Sequence, residues 1–193
     1  MIDLTECIQK ALLEASNAEE HETNTRIAHS TRSSNFVSAI AEYFKSYYSD
    51  ENVRVLSRKR PSNKEEFSVN ELLYDITVCT IGKTPAKRRG FYLTFITGAI
   101  WEIESELEDG DYREALTDFN KLVLGDSENK LFIGTTKSDN DFLLKTLALP
   151  AAKCRGNIYV ALISHPRSWK NDISSVLLWQ YHAQEGWKKQ HKK

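Results

Sequence analysis

Three glutamates, Glu102, Glu104 and Glu106, stand at alternate positions of the run GAIWEIESELEDGD (98–111). Alternate side chains on an extended strand share one face, about 6.5–7 Å apart along the chain. Like charges in such a row repel. Either the strand end emerges into water, or the oxygens gather around a hard divalent cation, which takes carboxylate, water and phosphate oxygens. An ion held this way turns water into hydroxide and stabilises charge on a phosphodiester under attack. A fourth carboxylate, Asp75, lies in LLYDITV among apolar neighbours. A charge there needs a salt-bridge partner, an exposed edge or a cation. Further on, DFNKL sets Asp118 and Lys121 three apart, on one helical face.

Two strands and a helix must lie side by side to gather these groups. NELLYDITVCTI (70–81) reads as a strand, with Leu72, Tyr74, Ile76 and Val78 on one face and Leu73, Asp75 and Thr77 on the other. KTPAKRRG (83–90) is a basic turn, and 91–106 is an apolar run too long for one ordinary strand, with a bend expected at Gly98. Residues 109–125 read as a helix, opened by Asp109 or Asp111 and closed by Gly125. Strands follow at 130–136, 157–165 and 174–183, with a helix at 138–152 that Pro150 ends or kinks. Upstream, 2–19 and 33–48 carry helical apolar stripes, 20–33 is a polar linker or helix continuation, and Val53 and Val55 hint at a short strand. Strands alternating with helices predict an α/β fold, a central mixed β-sheet flanked by helices.

The 193 residues suit one domain with a helical appendage. With 26 Lys+Arg against 27 Asp+Glu, net charge supplies no bulk attraction to nucleic acid or to a membrane. The basic residues are clustered instead, at Arg58-Lys59-Arg60, Lys87-Arg88-Arg89 and 188–193. Three scattered cysteines without a C-x-x-C pair argue for a reducing, cytoplasmic setting and against a disulfide framework. The N-terminus lacks the pattern of a signal peptide, and no apolar run is long enough to cross a bilayer.

An Asp strand, a basic turn, a strand ending in E-x-E, a helix and another strand follow one another over roughly 33–136. In that order, the chain resembles the PD-(D/E)xK (restriction-endonuclease-like) nuclease superfamily. E-S-E followed by the D-F-x-K-L helix is similar to one subgroup of it. The resemblance implies a restriction-endonuclease-like core in 33–193, behind an N-terminal helical extension, 1–32. It implies a Mg²⁺- or Mn²⁺-dependent endonuclease acting on DNA in defence, restriction or repair. Asp75 matches the metal-binding Asp and Glu104 the acid of (D/E)xK, while Glu106 stands where the lysine is common and would be a ligand or a base. Lys121 would supply the displaced positive charge. A register shifted by two residues would use Glu102 and Glu104 instead. Glu42 on the first core helix, Glu102 and Asp118 are supplementary carboxylates. The clusters at 58–60 and 87–89 would meet phosphates.

Two other expectations stand beside this one. Without the E-x-K lysine, the same fold could serve as a catalytically inactive module that binds nucleic acid or protein. The stripe on 2–19 could dock a partner protein or make a homodimer. No G-x-x-x-x-G-K-[ST] or G-x-S-x-G run is present, and the histidines lack metal-ligand spacing.

Overall fold

In the computed structural model, which describes residues 2–17, 25–58, 61–67, 71–108, 111–169 and 175–190, the N-terminal stripes become two packed helices. Helix α1 (Leu4–Asn17) buries Leu4, Cys7, Ile8, Ala11, Leu12 and Ala15. Helix α2 (Thr25–Tyr47) is continuous through the polar stretch before residue 33, where neither Gly nor Pro interrupts it. The expected division between 32 and 33 therefore falls inside α2. The apolar face of α1 joins one cluster with Phe36, Ile40 and Phe44 of α2 and with the sheet. The stripe expected to face a partner is turned into the chain's own core.

The remaining elements are β1 (Val53–Ser57), α3 (Pro61–Phe67), β2 (Ile76–Pro85), β3 (Tyr92–Glu106), α4 (Tyr112–Leu124), β4 (Asn129–Thr135), α5 (Asn140–Ala151), β5 (Asn157–Ile163), β6 (Leu177–His182) and β7 (Gly186–Gln190). The strands form one mixed sheet in sequence order. β1, β2 and β3 make an antiparallel meander, β3, β4 and β5 run parallel, and β6 and β7 return antiparallel. Parallel neighbours need crossovers, and α4 and α5 provide them on one face. Phe119, Leu122, Leu143 and Leu147 of those helices pack on Phe132, Val160 and Leu162. On the opposite face, α1 and α2 cover Trp101, Ile103, Leu131, Ile133 and Ala161. The central strands are thus apolar on both sides, as strands buried between two helical layers must be.

Local differences from the sequence pattern have identifiable causes. β2 begins at Ile76, so Asp75 stands just before the strand rather than within it. Leu72 and Leu73 are exposed, and Tyr74 packs against the α4 layer while Ile76 and Val78 face the α2 layer. The long apolar run stays a single strand. It absorbs its bend as two register shifts, between Val78 and Cys79 and between Thr80 and Ile81, opposite the segment that contains Gly98. Asp111 caps α4 by accepting from the Arg113 and Glu114 N–H groups, and Gly125 ends it; Asp109 lies outside the described residues. Among the described residues, no helix is long and apolar enough to cross a membrane.

Candidate active site

Alternation on β3 turns Glu102, Glu104 and Glu106 to the α4 side, while Trp101, Ile103 and Leu107 enter the core under α1 and α2. Strand pairing decides what each glutamate meets. Glu102 lies beside Lys130 of β4 and Thr77 of β2, whereas Glu104 has Phe132 as its β4 neighbour. On the β2 side the pairing ends at Ile76 opposite Ile103, and Asp75, just before it, is near enough for its charge to act on Glu104.

Asp75 is held firmly. The Ser105 N–H and hydroxyl both donate to Asp75 Oδ2, at 2.9 and 2.6 Å. Helix α4 brings in the cation: Lys121 Nζ lies 3.0 Å from Glu104 Oε2 and 2.8 Å from Asp118 Oδ1. The Tyr74 hydroxyl donates to the Lys121 carbonyl at 3.1 Å, tying the helix end to the segment that carries Asp75. Glu104 is 1 % exposed. Burial and, next, the negative charge of Asp75 push its carboxyl up to about 8, against the opposing pull of Lys121. For Lys121 burial works downward, but hydrogen bonds to Asp118 and Glu104 outweigh it and hold the ammonium above its usual value.

Glu106 is differently engaged. Its Oε1 accepts from the Glu108 N–H at 2.9 Å. Burial raises its carboxyl to about 7; the Glu108 N–H pulls down and the adjacent Asp118 pushes up. Glu102 is sealed in. Its Oε2 lies 3.7 Å from the Nζ of Lys130, a side chain with no exposure. That ammonium also donates to the Ser127 carbonyl and hydroxyl and to the Arg155 carbonyl. The end of α4 closes over the pair: a Cβ at Gly125 would collide with the Glu102 carboxylate and the Tyr74 hydroxyl.

The residues able to hold a divalent cation are therefore Asp75 and Glu104. Glu104 Oε1 is buried with no hydrogen-bond partner among the described residues, as is Glu102 Oε2, but only Glu104 also has the Asp75 charge beside it. A cation there would satisfy that oxygen and relieve the repulsion from Asp75. Among the described residues, no three His, Cys, Asp or Glu side chains form a ready-made metal-binding group. Glu106 bonds the Glu108 N–H, lies beside Asp118 and shares the cleft lining with Asp75.

A cleft of ≈ 1030 Å³ opens beside this cluster, with Asp75, Ser105, Glu106 and Glu108 on one wall. The facing wall is the N-terminal half of α2, with His29, Ser33, Ser34 and Ser38; Arg58, His165 and Arg167 also line it. Arg32 Nη1 donates to the Pro166 carbonyl at 2.6 Å and so fixes α2 against the 165–167 loop. Glu42 is exposed and lies outside the cleft lining. Lys59 and Arg60 lie outside the described residues. Lys87, Arg88 and Arg89 occupy an exposed turn next to Tyr92, twelve residues before Glu104 and so about 40 Å away along β3.

Sequence reasoning missed Ser105, Tyr74, Lys130 and the serine wall of α2. The serines at 30, 33, 34 and 38 do carry a legible signal, since their spacing puts them on one helical face. Lys130 carries none, because a lysine at a strand start reads as exposed. The chain matches no protein-family model, no curated protein and no solved structure.

Proposed function

We propose that this chain is a metal-dependent phosphodiester hydrolase acting on DNA, built on a restriction-endonuclease-like core. The observation that carries the reading is the meeting of Asp75 from the threshold of β2, Glu104 from β3 and Lys121 from α4, with Asp75 on the lining of an open cleft. The order of β2, the basic turn, β3, α4 and β4 supports the reading, being the order on which the resemblance rests.

Asp75 and Glu104 hold Mg²⁺ or Mn²⁺. When bound, the ion polarises the phosphate and lowers the pKa of a coordinated water. Lys121, held protonated, is a donor that orients the water or the phosphate and cannot be the base. Glu106, with a carboxyl near 7, exchanges a proton close to neutral pH, which is the property a general base needs. Arg58 and Arg167, on the cleft lining, face the flanking phosphates.

The test is cleavage of plasmid and oligonucleotide DNA with Mg²⁺ or Mn²⁺. Asp75→Asn and Glu104→Gln should each lower the rate by about a thousandfold or more, because each removes a ligand charge. Both should also abolish the rise in melting temperature that Mn²⁺ gives the wild type. Cleavage that survives both substitutions sinks the assignment. One observation favours the alternative of an inactive binding module: Lys121 already neutralises both Glu104 and Asp118 without an ion. That module would bind neither metal, and Mn²⁺ would leave its melting temperature where it was.

A further inference from the structure

Beyond Ile81 on β2 and before Ala99 on β3, the two strands pair with each other, the neighbouring strands β1 and β4 having ended. They form a two-stranded arm. Helix α3 meets one face of the arm, through Phe67 beside Ile81 and Glu66 at Thr94, and the other face exposes large apolar residues: Phe95 is 46 % exposed and Leu93 is open, with Phe91 and Tyr92 (65 %) open towards the tip. Phe95 stands opposite Gly82. A Cβ on Gly82 would lie 2.9 Å from the Phe95 ring, so the missing side chain lets that ring lie flat on the arm. Its other face is left to solvent. Leu93 stands two residues away on the same face, about 6.5–7 Å along the strand. That gap is about twice the 3.4 Å rise per nucleotide in a strand of duplex DNA, which is room for one flat base between the two side chains.

The charge of the arm selects its partner. From Ile76 to Trp101 there is no Asp or Glu, while Lys83, Lys87, Arg88 and Arg89 supply four positive charges. Glu66, which touches Thr94, is already paired with Arg54 at 2.7 Å. The Arg88 guanidinium sits 4.4 Å from the centre of the Phe91 ring, so cation and ring alternate at the tip. A second copy of the chain would set four positive charges against four. Basic residues interleaved with open aromatic faces suit phosphates and unstacked bases instead. The arm also continues β3, the strand that carries Glu104, nine residues and about 30 Å from Phe95.

We propose that this arm binds an unpaired nucleic-acid strand, its phosphates on the Lys87–Arg89 turn and its bases against Phe95 and Leu93. The inference shares a nucleic-acid partner with the hydrolase reading and does not depend on its metal chemistry.

Binding is therefore measured by fluorescence anisotropy in EDTA, with a labelled single-stranded oligonucleotide and with the duplex of the same sequence. The wild type should hold the single strand more tightly. Leu93→Ala with Phe95→Ala should weaken that binding about tenfold. Lys87, Arg88 and Arg89 changed together to Ala should flatten the salt dependence by about two in log–log slope. These side chains are exposed, so melting temperatures should stay at the wild-type value, and the turn variant tests the arm if the ring variant folds poorly. Unchanged single-strand affinity in both variants overturns the proposal. So does tighter binding of the duplex, or an arm-dependent affinity for phosphatidylglycerol vesicles with none for the oligonucleotide. A chain that binds the strand in EDTA yet never cleaves with Mg²⁺ keeps the arm and loses the hydrolase.

Discussion

Glu102 and Glu104 are the same residue type on the same face of β3, one pleat apart, yet their surroundings differ in kind. Glu102 receives its counter-charge from the sheet itself, because parallel pairing puts Lys130 at its side. The α4 terminus then covers both. For Glu104 the same pairing offers Phe132, and the carboxylate beside it is Asp75, another negative charge. Its cation has to come from outside the sheet, and Lys121 reaches it from α4 with a side chain that remains 36 % exposed. A carboxylate neutralised by its own scaffold is finished structure. Glu102 Oε2 and Glu104 Oε1 are both buried without a hydrogen-bond partner among the described residues, so what sets Glu104 apart is its rival carboxylate, Asp75, which lines the open cleft and leaves the pair able to take a ligand.

The contrast predicts unequal costs for removing the two lysines. Lys130→Met leaves Glu102 buried with no cation, and breaking a buried pair from one side costs roughly 3–5 kcal/mol. Urea unfolding should show that loss. Lys121→Met removes a partly exposed ammonium and should cost less, under about 1 kcal/mol, because Glu104, with its carboxyl at about 8, can keep a proton in place of the lost cation. Equal losses in the two variants would mean that the two ends of the row are not energetically distinct.

Much of this row was legible before folding, and the illegible part has a physical reason. Period-two spacing gave the common face of Glu102, Glu104 and Glu106, and helical spacing gave the shared face of Asp118 and Lys121. Which glutamate would be sealed was not legible, because it depends on parallel register between β3 and β4, whose pairing partners lie 28 residues apart. Asp75 could be placed near a strand but not at its threshold, since the apolar alternation runs on through Leu72 and Leu73, which the fold leaves exposed. The α2 wall of the cleft was hidden in a polar stretch that resembles a linker. The helix runs through that stretch with tertiary contacts on both halves, from Arg32 at Pro166 to Phe36, Ile40 and Phe44 in the core.

The open end of the row should also be visible in the pH dependence of stability. The Glu104 carboxyl stands at about 8 in the folded chain against an ordinary 4.5, so the native state keeps a proton that the unfolded chain gives up. That contribution is whole below about pH 4.5 and is lost as pH rises through about 8. Glu106 adds a loss of the same sign up to about 7. In EDTA the unfolding free energy should therefore fall between about pH 5 and 8, by roughly 1–3 kcal/mol for Glu104 alone. Glu104→Gln, permanently neutral, should remove that share and be the more stable protein at pH 8. If Glu104 holds Mg²⁺ as proposed, the ion would favour the carboxylate, and its stabilising effect should grow over the same interval. A stability profile that is the same in the wild type and in Glu104→Gln would refute the account.

The smallest effect concerns how Lys121 is aimed. At the end of α4 the Gly125 N–H turns to the Leu122 carbonyl, leaving the Lys121 carbonyl without its usual helical donor. The Tyr74 hydroxyl takes that place. Tyr74→Phe keeps the ring in its apolar contacts and removes only the hydrogen bond, at a cost of about 1 kcal/mol. If the bond does no more than finish the helix, melting temperature alone should drop. If it also aims Lys121 at Glu104, turnover should fall several-fold while Mn²⁺ still raises the melting temperature as in the wild type, since Asp75 and Glu104 are untouched. The same substitution should do nothing to the Glu102–Lys130 pair, whose ammonium is fixed by Ser127 and Arg155. Turnover unchanged beside a lowered melting temperature would assign Tyr74 to the helix end and leave Lys121 to be aimed by Asp118 alone.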